Sequence, residues 1–213
     1  MKKHLSTIFV LSFFFFLSCE NKIVRDKEGL IVYQENQTSW VRNFEPLNPV
    51  SIARWPTRGG IYESLFLHNP ITTDWVPWLA TDYKWHNNNK KLLFKIRDGV
   101  QWSDGKPFSA HDVAYTFNLW KEFPALDARN AWEYLKSVVV ASDTLLEVNF
   151  KRIYVPGFEA IAGAYIVPKH IWSKLKDPLD FSNPNPVGTG PFTEILRFNS
   201  QVWELGKNHN YWQ

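Results

Sequence analysis

Leu93-Phe94-Lys95-Ile96-Arg97-Asp98-Gly99-Val100-Gln101-Trp102-Ser103-Asp104-Gly105-Lys106-Pro107-Phe108-Ser109-Ala110-His111-Asp112-Val113 reads without interruption as strand, turn, strand, turn and capped helix. Leu92, Phe94 and Ile96 alternate with polar neighbours, the period of a half-buried strand. Asp98-Gly99 and Asp104-Gly105 are turn pairs, and Val100 and Trp102 fall on one face of a second strand between them. Ser109 stands at an N-cap position with Asp112 three residues on to return the capping bond, and Val113, Phe117 and Trp120 share one helical face. The spacing predicts a helix over residues 110–122.

Working outward, Tyr83 and Trp85 alternate across Lys84, and Asn87-Asn88-Asn89 supplies residues tolerant of positive φ, which predicts a hairpin with the strand at residues 92–96. Upstream, residues 30–33 read as a strand, the two prolines within residues 43–49 interrupt regular structure, and residues 61–67 read as helical. Downstream come a short helix over residues 131–136, strands over residues 138–141 and 145–150, a helix over residues 155–162 and a short strand at residues 165–167. Pro168 opens a helix through Trp172 as a first-turn proline does, residues 176–186 form a polar, Pro-rich connector, and residues 192–198 and 201–205 form a hairpin.

The first twenty residues carry a different message. Lys2 and Lys3 form a basic start, residues 8–17 an apolar run too short to span a membrane, and Ser18 a small residue at a cleavage position, together an export signal. Cys19 follows at once and is the chain's single cysteine, which excludes an intrachain disulfide. Residues 20–28 are polar, as a tether is. A net charge of +3 over 213 residues gives no footprint for nucleic acid.

Catalytic patterns are missing. The six histidines are scattered with no helical pair and no cysteine partner, there is no GxSxG elbow, and Gly188-Thr189-Gly190 lacks the lysine and spacing of a phosphate loop. His111 and Asp112 are adjacent, but as neighbours on a helix they point to different sides. No enzyme activity, metal or cofactor is expected. The aromatic content, 16% with 11 Trp, is high and suits either a core or ligand platforms.

Several phrases in order carry a family resemblance: Tyr62-Glu63-Ser64-Leu65, Pro77-Trp78-Leu79-Ala80, the opening stretch through Val113, Ala141-Ser142-Asp143-Thr144-Leu145-Leu146-Glu147-Val148, and Pro186-Val187-Gly188-Thr189-Gly190-Pro191-Phe192 leading to Asn210-Tyr211-Trp212. Over residues 30–213 the chain resembles the family 5 extracellular solute-binding proteins of bacteria, which serve ABC importers of oligopeptides, dipeptides, nickel complexes or oligosaccharides. The resemblance implies an α/β, periplasmic-binding-protein-like fold of the type II, three-domain class. It is expected to be incomplete here, holding part of domain I and an inserted mixed α/β domain II. The implied boundaries are a signal peptide at residues 1–18, a lipidated tether at 19–29, a first segment of domain I at 30–63, domain II at 64–185, and a return into domain I at 186–213. Domain III is expected to be absent from a truncated chain.

Phe16-Leu17-Ser18-Cys19 resembles a lipoprotein signal, although Leu17 stands two residues before the cysteine where the usual pattern has Leu three before. Lipidation at Cys19 would anchor an exported protein to the membrane, facing the periplasm or the outside. The implied function is capture of oligopeptides for delivery to a permease and its ATPase. The alternatives are an oligosaccharide or nickel complex as solute, or a truncated surface lipoprotein acting as an interaction module. Trp40, Trp55, Trp75, Trp78, Trp132 and Trp203 motivate the sugar alternative, with Trp75 and Trp78 placed away from the cleft. Arg54 and Trp55 are the expected ligand contacts, because the matching family segment lines the cleft from the domain I side.

Overall fold

The structure, a computed structural model, describes residues 29–33, 42–47, 59–199 and 202–213. Its centre is a four-stranded antiparallel sheet in the order β4 (Ala80–His86), β5 (Lys91–Ile96), β7 (Leu145–Phe150), β6 (Leu135–Ser142). The β4–β5 turn is made by Asn87, Asn88 and Asn89, all at positive φ, which asparagine tolerates better than most residues. Register pairs Leu92 with Val148 and Phe94 with Leu146, so one apolar face runs across the sheet and all four side chains are fully buried.

Helix α1 (Ala110–Glu122) closes over β6 and β7. The Ser109 hydroxyl accepts from the His111 N–H and the Asp112 carboxylate accepts from the Ser109 N–H, a reciprocal capping box. Asp112 also accepts from the Lys169 N–H, which ties α1 to helix α3 (Lys169–Trp172); burial raises its pKa above the usual carboxylate range, against these donors. His111 is exposed beside Asp143 while Asp112 is buried, so the adjacent pair faces two environments. Helix α2 (Gly157–Ala162) packs Phe158 against Phe66, Tyr83 and Phe94.

Two further sheets flank this core. The hairpin β2 (Phe66–His68) with β3 (Trp75–Pro77) precedes β4. A three-stranded sheet in the order β1 (Gly29–Tyr33), β9 (Val202–Lys207), β8 (Phe192–Phe198) joins the start of the described chain to its end. A small second core of Phe44, Ile61, Tyr62, Trp203 and Leu205 lies apart from the main one. Its members come from residues before Glu63 and after Pro191, whereas the main core draws, apart from Leu47, on residues 65–172.

Four local expectations are corrected. The helix expected over residues 61–67 is confined to a turn at residues 59–61, because the Leu65 carbonyl takes the N–H groups of Trp78 and Ala80 and draws the chain into β2. Val100 and Trp102 are both buried, but they lie in a tight loop rather than a strand: Trp102 N–H donates to the Lys106 carbonyl, and a single bridge joins Gln101 to Pro107. The helix over residues 131–136 is one 3₁₀ turn, Ala131–Glu133, capped by the Asp127 carboxylate, after which β6 takes over. Residues 165–167 make one bridge, Tyr165 to Ser64, and no strand.

Candidate functional site

The β2–β3 register brings His68 opposite Trp75, with their rings 5.0 Å apart. Trp75 rests on Gly163 and meets Phe158 edge-on. The bridge between Ser64 and Tyr165, with the Ile166 N–H on the Glu63 carbonyl, draws the segment after α2 beside the chain entering β2. Between them opens a cavity of about 340 Å³ whose walls include Tyr62, Phe66, Trp75, Trp78, Tyr165 and Tyr211, with Glu63, His68 and Arg129 as its ionisable groups.

Glu63 is 5% exposed and is held by donors from three parts of the chain. Trp78 Nε1 donates to Oε1 at 2.6 Å, Tyr211 Oη donates to the same oxygen at 3.2 Å, and Trp212 Nε1 donates to Oε2 at 3.0 Å. Burial raises the Glu63 pKa above the usual carboxylate range, and the hydrogen bonds it accepts only partly oppose this. Burial and the neighbouring Glu63 charge push the Tyr211 phenol well above its ordinary value as well. Arg97 braces the node from outside, with its guanidinium 4.6 Å from the Trp212 ring centroid and its Nε donating to the Trp78 carbonyl.

Arg129 sits in the wall shared with a second cavity of about 220 Å³, whose lining adds Pro46, Leu47, Trp120 and Leu126. Its guanidinium donates to the carbonyls of Glu159, Ala160 and Gly163, which fixes it at the C-terminal end of α2. Among the described residues no carboxylate lies within ion-pair distance of Arg129. An exposed guanidinium, positioned by the backbone at the end of α2 and lining two hollows, is suited to receive an anionic group.

Of the residues expected to act, Cys19, Arg54 and Trp55 lie outside the described residues, as does Trp40. Trp75 and Trp78 share the larger cavity with Tyr62 and Glu63. Trp132 gives its Nε1 to the Phe117 carbonyl beneath Lys121, and Trp203 is fully buried in the second core, so these two are structural. Glu63, Arg129, Tyr165 and Tyr211 were not singled out; Glu63 and Tyr211 stood inside quoted phrases, and nothing local marks the other two. Among the described residues no group of three or more His, Cys, Asp or Glu is arranged to hold a metal ion, and no helix is long and apolar enough to cross a membrane.

Residues 74–213, more than half of the chain, match the family described as bacterial extracellular solute-binding proteins, family 5 Middle. The chain belongs to this family. Among similar proteins, the nickel-binding periplasmic protein of Escherichia coli is 28% identical over 84% of this chain and 34% of its own length. The oligopeptide-binding protein AppA of Bacillus subtilis is 32% identical over 56% of this chain and 23% of its own length. A periplasmic oligopeptide-binding protein of Thermotoga maritima, solved with mannohexaose bound, superposes with a TM-score of 0.74 at 31% identity over 80% of this chain and 32% of its own. The fold is that of the type II binding proteins, of which this chain is a partial α/β representative. The chain thus spans about a third or less of the length of these relatives.

Proposed function

We propose that this chain supplies part of the solute receptor of an ABC importer, exported and held at the membrane by lipid on Cys19, and that it captures oligopeptides for a permease and its ATPase. Family membership supports the receptor role, and AppA, named for oligopeptides, supports the solute class. The observation that carries the site is Arg129, a backbone-anchored guanidinium between two hollows with no carboxylate partner among the described residues. It is read as the anchor for a carboxylate of the bound solute. Arg54 and Trp55 remain proposed contacts on the same grounds as before.

The separate small core supports reading residues 30–63 and 186–213 as one domain and 64–185 as an inserted one. Solute capture in such a receptor is a binding event followed by domain closure, with no covalent step. Isothermal titration of the exported chain with a tri- to pentapeptide pool, mannohexaose and a nickel–histidine complex separates the solute classes. Heat from the peptides alone, weakened about tenfold or more in Arg129→Ala, is the expected result. Binding of mannohexaose or the nickel complex in preference to peptide overturns the peptide assignment, and unchanged affinity in Arg129→Ala removes Arg129 from the site.

A further inference from the structure

The larger cavity holds a buried carboxylate whose donors are all neutral. Trp78 and Tyr211 donate to one oxygen of Glu63 and Trp212 to the other, but two indoles and a phenol bring no positive charge. Among the described residues no Lys, Arg or His lies within ion-pair distance of Glu63. Arg97 meets the node through the Trp212 ring, and Arg129, on the cavity wall, has its N–H groups turned onto three carbonyls. Around this anion stand Tyr62, Phe66, Trp75 and Tyr165, aromatic rings whose quadrupoles also favour a cation.

We infer that this cavity receives an organic ammonium group, held over the aromatic walls by the charge of Glu63. The neutral donors on Glu63 decide between ligand classes. A sugar needs several free acceptors for its hydroxyls, and the three donors leave the Glu63 carboxylate at most one; an ammonium needs only a field and π-faces, which neutral donors do not cancel. An ammonium is also the group that a peptide or amino acid presents beside its carboxylate, so Glu63 and Arg129 would take opposite charges of one zwitterion. The peptide identity rests on the reading above; the ammonium site rests on the cavity alone.

Two titrations keep the two ideas apart. In the first, tetramethylammonium chloride is added to the whole chain against sodium chloride at equal ionic strength, with Trp fluorescence as the readout. The expected result is a saturable change, weakened about tenfold in Glu63→Gln and in Trp75→Leu. A response that is linear and equal to that of sodium chloride, or an affinity unchanged in both variants, overturns the site. Each variant is first checked for native melting; if Glu63→Gln fails to fold, Trp75→Leu carries the test. In the second, tri-alanine and N-acetyl-tri-alanine are compared by isothermal titration. Tighter binding of the free amine supports the assignment, and equal binding of the two overturns it. Saturable tetramethylammonium binding with neither peptide bound keeps the ammonium site and sinks the peptide reading instead.

Discussion

Gly190 donates its N–H to the Ile61 carbonyl at 2.9 Å, stitching the chain that leaves the main core to the chain that enters it. The approach is so close that a β-carbon on Gly188 would stand 1.9 Å from that same oxygen, and one on Gly190 2.3 Å from the Gly60 carbonyl. Backbone on both sides of the contact leaves no flexible group to yield. Gly188→Ala is therefore expected to force the two crossings apart and cost about 3 kcal/mol or more, read by urea titration. A loss below about 1 kcal/mol would mean that the crossings separate freely.

Trp102 is fully buried in the loop before α1, edge-on to Phe108. Trp102→Ala removes the largest kind of side chain from a packed interior, and the expected loss is about 3–5 kcal/mol. Chemical denaturation followed by far-ultraviolet circular dichroism measures it.

The elements legible in the sequence are those whose determinants are local. Ser109, Asp112 and the Val113, Phe117, Trp120 stripe fix α1 within one helix, and three consecutive asparagines fix the β4–β5 turn. Residues 61–67 do not form the expected helix because their fate is set by Trp78 and Ala80, whose N–H groups claim the Leu65 carbonyl. The site was hidden for the same reason. Glu63 takes its donors from residues 15, 148 and 149 positions away, and Arg129 is fixed by carbonyls 30 or more positions on. The family phrases contain Glu63, Trp78, Tyr211 and Trp212, but not the fact that they meet.

Cys19 follows an apolar run and is the chain's single cysteine. Lipidation there is expected to place the protein in the membrane fraction, and Cys19→Ala to move it to the soluble exported fraction. The mass of the N-terminal peptide from wild type, with or without acyl chains, checks this directly.

Glu63 also gives stability a pH dependence with a definite sign. Its pKa in the fold is raised, chiefly by burial, above the ordinary value of 4.5 that an unfolded chain would show. Below the unfolded value both carboxyls are protonated and the fold has its full advantage; between the two values the folded carboxyl holds its proton while the unfolded one has lost it, so stability falls as pH rises until the folded pKa is passed. Above that, the ionised carboxylate costs stability by an amount that no longer changes. Asp112, also raised by burial, contributes in the same direction, whereas half-buried Glu147, lowered by its hydrogen bonds to Lys91 and Asn149, contributes in the opposite one. The raw stability curve therefore mixes signs, and the informative quantity is the difference between wild type and Glu63→Gln. That difference, from urea titrations between about pH 5 and pH 8, is expected to shift against wild type as pH rises and then level off. A difference constant across the range would mean that the carboxyl titrates alike in the folded and unfolded chains, and that its neutral donors fully offset its burial.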